Sequence, residues 1–297
     1  MNEIREVSAA VREFAVSGRG SGPYALAEGP DGALWFTLVH QGAVARRDPG
    51  DGSVTVHPVG AGPTLVAAGP DGAMWFTEYR AHRIGRIAPD GSCSSFTPVT
   101  PAGGPFGIAA GPDGAMWFTL TAADRVGRLT MDGEVTEYPS PGAFPSAITA
   151  GPDGALWMTL NQHDAIGRIT TDGTRTVHSL PTGGAAPVGI AAGPDGALWF
   201  TEIGAGRIGR ITVAGEITEY PLPDPACRPH AVVAGPDGAM WFTEWGSGRV
   251  GRITVEGVVT SYALSRSDSE PHGIAPHDGA LWCALESGSL ARIEVSA

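Results

Sequence analysis

A handful of residues break a pattern that the rest of the chain keeps. A short motif recurs along the sequence. In successive copies, the residue after the proline that opens the innermost strand is Tyr24, Thr64, Phe106, Ser146, Val188, His230 and His272. The residue before that proline runs Gly22, Gly62, Gly104, Phe144, Ala186, Arg228 and Glu270. The fourth residue after each repeat tryptophan runs Val39, Tyr79, Thr121, Asn161, Ile203, Trp245 and Glu286. Three registers therefore converge, in the last two copies, on His230, His272, Glu270 and Glu286. Two carboxylates with no cysteine beside them suit a hard cation held by oxygen, Mg²⁺ with its waters rather than Zn²⁺. A histidine titrating near neutrality is a suitable general base. A cation with open positions stabilises negative charge as a neighbouring proton leaves. The set fits proton abstraction next to a carbonyl, or activation of water. No nucleophile elbow, phosphate loop or dinucleotide fingerprint is present.

The elements that must position these residues follow from the repeat. The phrase GPDGAxWFT places tryptophans at 35, 75, 117, 157, 199, 241 and 282, spaced by 40, 42, 40, 42, 42 and 41 residues. A period of that length implies a solenoid or a propeller. The fifth copy shows which. PVGIAAGP is a short apolar run ended by Gly-Pro, and Asp195-Gly196 is a hairpin signal. ALWFTE reads as a second strand, GRIGRIT as a third with Ile208 and Ile211 as its apolar residues, and EITEYPLP as a fourth. No stretch has a helical period. Four strands per copy make a propeller blade. The fold class is therefore all-β, a seven-bladed β-propeller of four-stranded blades, with a single domain over 1–297. The last copy ends on its third strand, SLARIEVSA, and Val11-Arg12-Glu13-Phe14 resembles the missing fourth. The N-terminal strand is expected to complete the last blade and close the ring.

Comparison among copies separates scaffold from site. The arginines Arg86, Arg128, Arg168, Arg210 and Arg252 recur, so they read as scaffold or inter-blade pairs. The Asp-Gly pairs read as turns. His40, His57, His82, His163, His178 and His277 fall in loops and outer strands and read as surface residues. Trp245, Tyr24, Tyr79 and Phe106 lie near the expected mouth, as an aromatic floor for an apolar ligand or as channel packing.

Composition narrows the function further. The net charge is −12, and all 19 basic residues are arginine. That balance argues against a phosphate-backbone partner, so no nucleic acid is expected. No apolar run is long enough to span a membrane. The charged N-terminus, MNEIREVSAAVREF, lacks a secretory apolar segment. Cys93, Cys227 and Cys283 are odd in number and far apart, which suits neither a disulfide framework nor a zinc cluster. A cytoplasmic monomer is the expectation, since a closed ring needs no partner.

Over nearly its whole length the sequence resembles the virginiamycin B lyase (streptogramin B lyase) family. The resemblance rests on the seven repeat copies, the N-terminal strand, and the segments RPHAVVAGPDG, SEPHGIAPHDG and LWCALES. It implies an enzyme that linearises type B streptogramin antibiotics, cyclic depsipeptides closed by an ester on a threonine side-chain oxygen. The base removes the threonine α-proton, and the ester carboxylate leaves from the β-carbon. The resemblance implies that His272 is the base, Glu270 and Glu286 are Mg²⁺ ligands, His230 contacts substrate, and Tyr24 is a mouth aromatic against it. Ala25 and Cys283 depart from the usual pattern without removing a functional group. Two other classes remain open: a metal-dependent lactonase, and a binding propeller without turnover, which the off-consensus residues disfavour.

Overall fold

The structure, a computed structural model, describes residues 8–16, 18, 20–60 and 62–296. Seven four-stranded antiparallel sheets form the blades of a β-propeller. The innermost strands are Pro23–Glu28, Pro63–Ala68, Pro105–Ala110, Pro145–Ala150, Pro187–Ala192, Pro229–Ala234 and Pro271–His277, for blades one to seven. Blades one to six are built from consecutive strands. Blade seven takes its outermost strand, Ser8–Ala15, from the other end of the chain, paired from Ser8 with Ser296 to Ala15 with Ser289. The expected closure therefore forms, with Val11–Phe14 inside the closing strand. Three short 3-10 turns are the only helical elements among the described residues, and no helix is long and apolar enough to cross a membrane.

The GPDGAxWFT motif builds the contacts between blades. All seven repeat tryptophans are essentially inaccessible. Each packs into the next blade: Trp35 with Val66, Met74 and Phe76, and Trp199 with Val232, Met240 and Phe242. Removing one such ring would cost about 3–5 kcal/mol. Each indole N–H also needs an acceptor, because an unpaired buried donor is costly. In blades one to six the Asp of the motif supplies it. Trp199 Nε1 donates to Asp195 Oδ1 at 3.0 Å, and Arg210 Nε donates to Asp195 Oδ2 at 2.6 Å. The recurring arginines are thus scaffold as expected, but they pair within a blade rather than between blades. Fifteen residues of sequence bring the Asp of the turn beside the Arg of the third strand in one blade.

The turn itself is longer than a two-residue hairpin in these blades, closed for example by Gly193 N to Ala197 O at 2.8 Å. Only blade seven tightens to a two-residue turn, Asp278-Gly279, between the paired His277 and Ala280. Asp278 no longer reaches the tryptophan there. Trp282 Nε1 has no hydrogen-bond partner, and the Arg47 guanidinium of blade one lies 4.7 Å over its ring.

The threonine of WFT sets the mouth. Its hydroxyl accepts from its own blade's inner strand and donates to the next blade's mouth residue. Thr201 Oγ1 accepts from Gly189 N at 2.9 Å and donates to His230 O at 2.8 Å. Thr243 Oγ1 accepts from Ala231 N at 3.0 Å and donates to His272 O at 2.8 Å. The same tie runs from Thr37 to Thr64 O, Thr77 to Phe106 O, Thr119 to Ser146 O and Thr159 to Val188 O. In blade seven the position is Ala284, so no hydroxyl reaches Tyr24 across the closing junction.

Candidate active site

The seven mouth residues form a ring as their register implies, and three of them meet. Tyr24 lies tilted against His272 with ring centroids 4.5 Å apart, and His230 meets His272 edge-on at 4.9 Å. Trp245 closes the group at 6.0 Å from His272, and the Arg228 guanidinium lies 5.3 Å over the Trp245 ring. His272 is 8% exposed. Its Nδ1 is buried without a partner, so Nε2 is the nitrogen left to act. Burial pushes the His272 imidazole below the ordinary histidine value; the hydrogen bond and charge of Glu286 oppose this without cancelling it. His230 is pushed down to about 3, by burial first and then by the neighbouring imidazole. It stays neutral beside the candidate base. Tyr24 is pushed up to about 12, by burial and then by the charge of Glu286, so it keeps its phenol proton.

Glu286 carries the junction. Its Oε2 lies 2.6 Å from His272 Nε2, and its Oε1 lies 2.8 Å from His40 Nε2. Burial alone would raise its carboxyl, but these two hydrogen bonds outweigh it and hold the group below its usual range. The backbone brings Glu270 alongside, because Glu286 N donates to Glu270 O at 3.2 Å. Glu270, Glu286 and His40 line one polar cavity of about 540 Å³, together with Glu13 and Ala15 of the closing strand. Arg266 lines it too, but two hydrogen bonds of 2.8 and 2.6 Å commit it to Asp268.

The residue before each inner proline is left-handed in every blade, from Gly22 at φ 66° to Glu270 at φ 49°. Glu270 itself is exposed at the cavity rim.

Beside this polar cavity lies an apolar one of about 370 Å³. Tyr24 forms a wall of it, and Tyr79, Phe106, Phe144 and Val188 of blades two to five form the remainder of its apolar lining with Val39. The aromatic floor is therefore made of Tyr24, Tyr79 and Phe106, joined by Phe144, while Trp245 packs on His272 instead.

The donor set fits a hard cation of low protein coordination. Among the described residues no three of His, Cys, Asp or Glu are grouped to hold a metal ion. Glu270 and Glu286 offer two carboxylates on one cavity, and Mg²⁺ is commonly held by one or two carboxylates with the remaining positions left to water and substrate.

Sequence comparison reached His230, His272, Tyr24, Glu270 and Glu286, and the structure brings all five to one mouth. It missed His40, which read as a surface residue. The imidazole is half-exposed, but it belongs to the site. Its partner lies 246 residues away in sequence and becomes a neighbour only when the ring closes. The available signal was that no other blade has histidine five residues after its tryptophan. Three more of the surface readings also change. His57 and His178 stack on Trp35 and Trp157 at 5.8 and 5.7 Å. His277 is buried, with Nδ1 3.0 Å from Glu28 of blade one.

Known proteins sharpen the picture. A profile of the virginiamycin B lyase family matches residues 9–293. A virginiamycin B lyase of Streptomyces coelicolor is 80% identical over 146 residues, 48% of this chain and 49% of that protein. One of Saccharopolyspora erythraea is 57% identical over 99 residues, 33% of each. The chain spans about half the length, or less, of the curated relatives it matches. The crystal structure of virginiamycin B lyase from Staphylococcus aureus is 40% identical with a TM-score of 0.93, covering 97% of this chain and 99% of that one. A catalytically inactive histidine-to-alanine variant of that enzyme, solved with quinupristin, is 39% identical at a TM-score of 0.93, with the same coverage. Matched over nearly its whole length, the chain belongs to the virginiamycin B lyase family.

Proposed function

We propose that the protein opens the ring of type B streptogramins by β-elimination at the threonyl ester, with Mg²⁺ held by Glu270 and Glu286. One observation carries the reading: a buried histidine, two carboxylates that line one cavity and an apolar hollow meet at a single mouth. Quinupristin in the related structure supports a streptogramin as ligand.

His272 is the base. Its Nε2 takes the threonine α-proton, the Cβ–O bond breaks, and the electron pair leaves with the ester carboxylate. The products are a dehydrobutyrine residue and a free C-terminal carboxylate, with no water added. The depressed basicity of His272 keeps it unprotonated near neutral pH, as a base must be. In the resting arrangement Nε2 donates its proton to the ionised Glu286, so that contact must open and the imidazole proton must move to Nδ1 before Nε2 can take the α-proton. Tyr24 and His230 shield the imidazole from water and fix its plane. Held by Glu270 and Glu286, Mg²⁺ would supply Lewis-acid stabilisation of the charge that develops as the ester breaks. The apolar hollow of blades two to five receives the apolar side chains of the depsipeptide.

Mass spectrometry of the product tests this. Purified protein with Mg²⁺ and a type B streptogramin should give an opened ring of unchanged mass. A product heavier by one water makes the protein a hydrolase, the lactonase alternative. Unaltered antibiotic after prolonged incubation overturns the activity.

A further inference from the structure

We infer that His40 is a positioning residue for Glu286: a blade-one imidazole that fixes the carboxylate of blade seven and so shapes the cation site. This inference rests on the Mg²⁺ site proposed above.

Three observations support it independently. The first is the contact itself, 2.8 Å from His40 Nε2 to Glu286 Oε1, while Oε2 faces His272 at 2.6 Å. The second is its location. At six junctions a threonine hydroxyl ties one blade to the mouth residue of the next, and at the seventh Ala284 removes that hydroxyl. The His40–Glu286 contact spans this one junction. The third is the room made for the ring. A Cβ on Gly22 would lie 2.4 Å from His40 Cδ2. The left-handed backbone does not itself demand glycine at that place. Phe144, Ala186, Arg228 and Glu270 occupy it in other blades at φ 56°, 46°, 51° and 49°. Gly22 instead leaves the space in which the imidazole lies.

The turn that carries His40 is itself fixed to the strand entry, by Val39 N to Gly22 O at 3.0 Å and His40 N to Ser21 O at 3.3 Å. The equivalent positions in blades two to seven are Arg80, Ala122, Gln162, Gly204, Gly246 and Ser287, so the repeat does not require an imidazole there. Glu286 borders an open cavity of about 540 Å³. Held by His272 alone, its carboxylate would have rotamers that point into that space. His40 removes them before any cation arrives, and pre-organising a ligand in this way typically carries about 10–100-fold in metal affinity.

The experiment is calorimetric titration of Mg²⁺ into the wild type, His40→Ala, His40→Gln and Gly22→Ala, with thermal unfolding to check each fold. His40→Ala should weaken Mg²⁺ binding about tenfold. His40→Gln, whose amide N–H can donate to the same oxygen, should recover most of it. Gly22→Ala keeps His40 but displaces its ring, and should match His40→Ala. If the wild type binds no Mg²⁺, the cation reading fails and this inference with it. If the wild type binds and His40→Ala binds equally well, the inference alone fails. If His40→Gln is as weak as His40→Ala, orientation by a donated hydrogen bond is overturned.

Discussion

At the mouth, blades two to five place Thr64, Phe106, Ser146 and Val188 where blades six, seven and one place His230, His272 and Tyr24. The backbone is the same in both arcs: a left-handed residue, a proline, then the mouth residue. In the first arc the side chains are neutral and help enclose an apolar hollow. In the second, imidazoles, a phenol and two carboxylates crowd one junction. The scaffold supplies equivalent positions at little cost in fold, so function needs only a local change of side chains. The junction that changes most, between blades seven and one, is also where the threonine tie is missing. Under the proposed function, substrate holding and proton transfer fall to separate arcs of one ring.

The sharpest way to break this division is His272→Ala. Loss of a general base should lower kcat by about 10²–10⁴. The backbone carbonyl at that position would still accept from Thr243, so Tm should stay close to wild type. Ring opening at near-normal kcat would place the base elsewhere and erase the distinction between the arcs. A scaffold variant gives the reverse signature. Asp195→Ala strands Trp199 Nε1 and Arg210, far from the mouth, and should cost about 1–3 kcal/mol in urea unfolding. The kcat of the folded protein should not move. The holding arc is tested by Phe106→Ala, which should raise KM about tenfold with little change in kcat, the mark of binding shared by substrate and transition state. A kcat loss as large as that of His272→Ala would mean that both arcs do chemistry.

Much of this was readable before any coordinates. The spacing of Trp35 to Trp282 defines the blades because a blade is a local unit of consecutive strands. The likeness of Val11–Phe14 to the fourth strands identifies the closure because both must satisfy the same pairing. His230, His272, Glu270 and Glu286 stand out because six near-copies serve as their control. What could not be read depends on contacts made after closure or on backbone angles. His40 meets Glu286 only across the closed ring. The Asp–Arg pairs form within one blade because the first turn of the blade folds beside its third strand, a matter of register rather than repeat. The left-handed entry residue is hidden wherever a non-glycine, such as Glu270, adopts it.

The smallest effect comes from a comparison of blades five and six, away from the mouth histidines. Glu202 and Glu244 are equivalent, both on the second strand and both buried. Opposite Glu244 the fourth strand carries Ser261, whose hydroxyl donates to Glu244 Oε1 at 2.7 Å, and Ser247 donates to Oε2 at 2.9 Å. Opposite Glu202 the fourth strand carries a second acid, Glu219, which accepts from Thr182 N and Oγ1 at 3.1 and 2.6 Å. Arg207 approaches Glu219 at 3.9 Å, and neither oxygen of Glu202 has a hydrogen-bond partner. Burial, and then the charge of Glu219, push Glu202 up to about 8. An unfolded chain would release that proton near the ordinary glutamate value, about 4.3. Between these two values the folded form holds the extra proton, so stability falls as pH rises and the loss is complete above the folded value. Glu202→Gln has similar size and cannot ionise. It should leave Tm unchanged below the ordinary glutamate range and raise it by a few degrees at about pH 9. Parallel Tm curves for wild type and Glu202→Gln across the whole range would mean that Glu202 ionises in the fold as it does in the unfolded chain, and that its burial beside Glu219 is relieved by a partner.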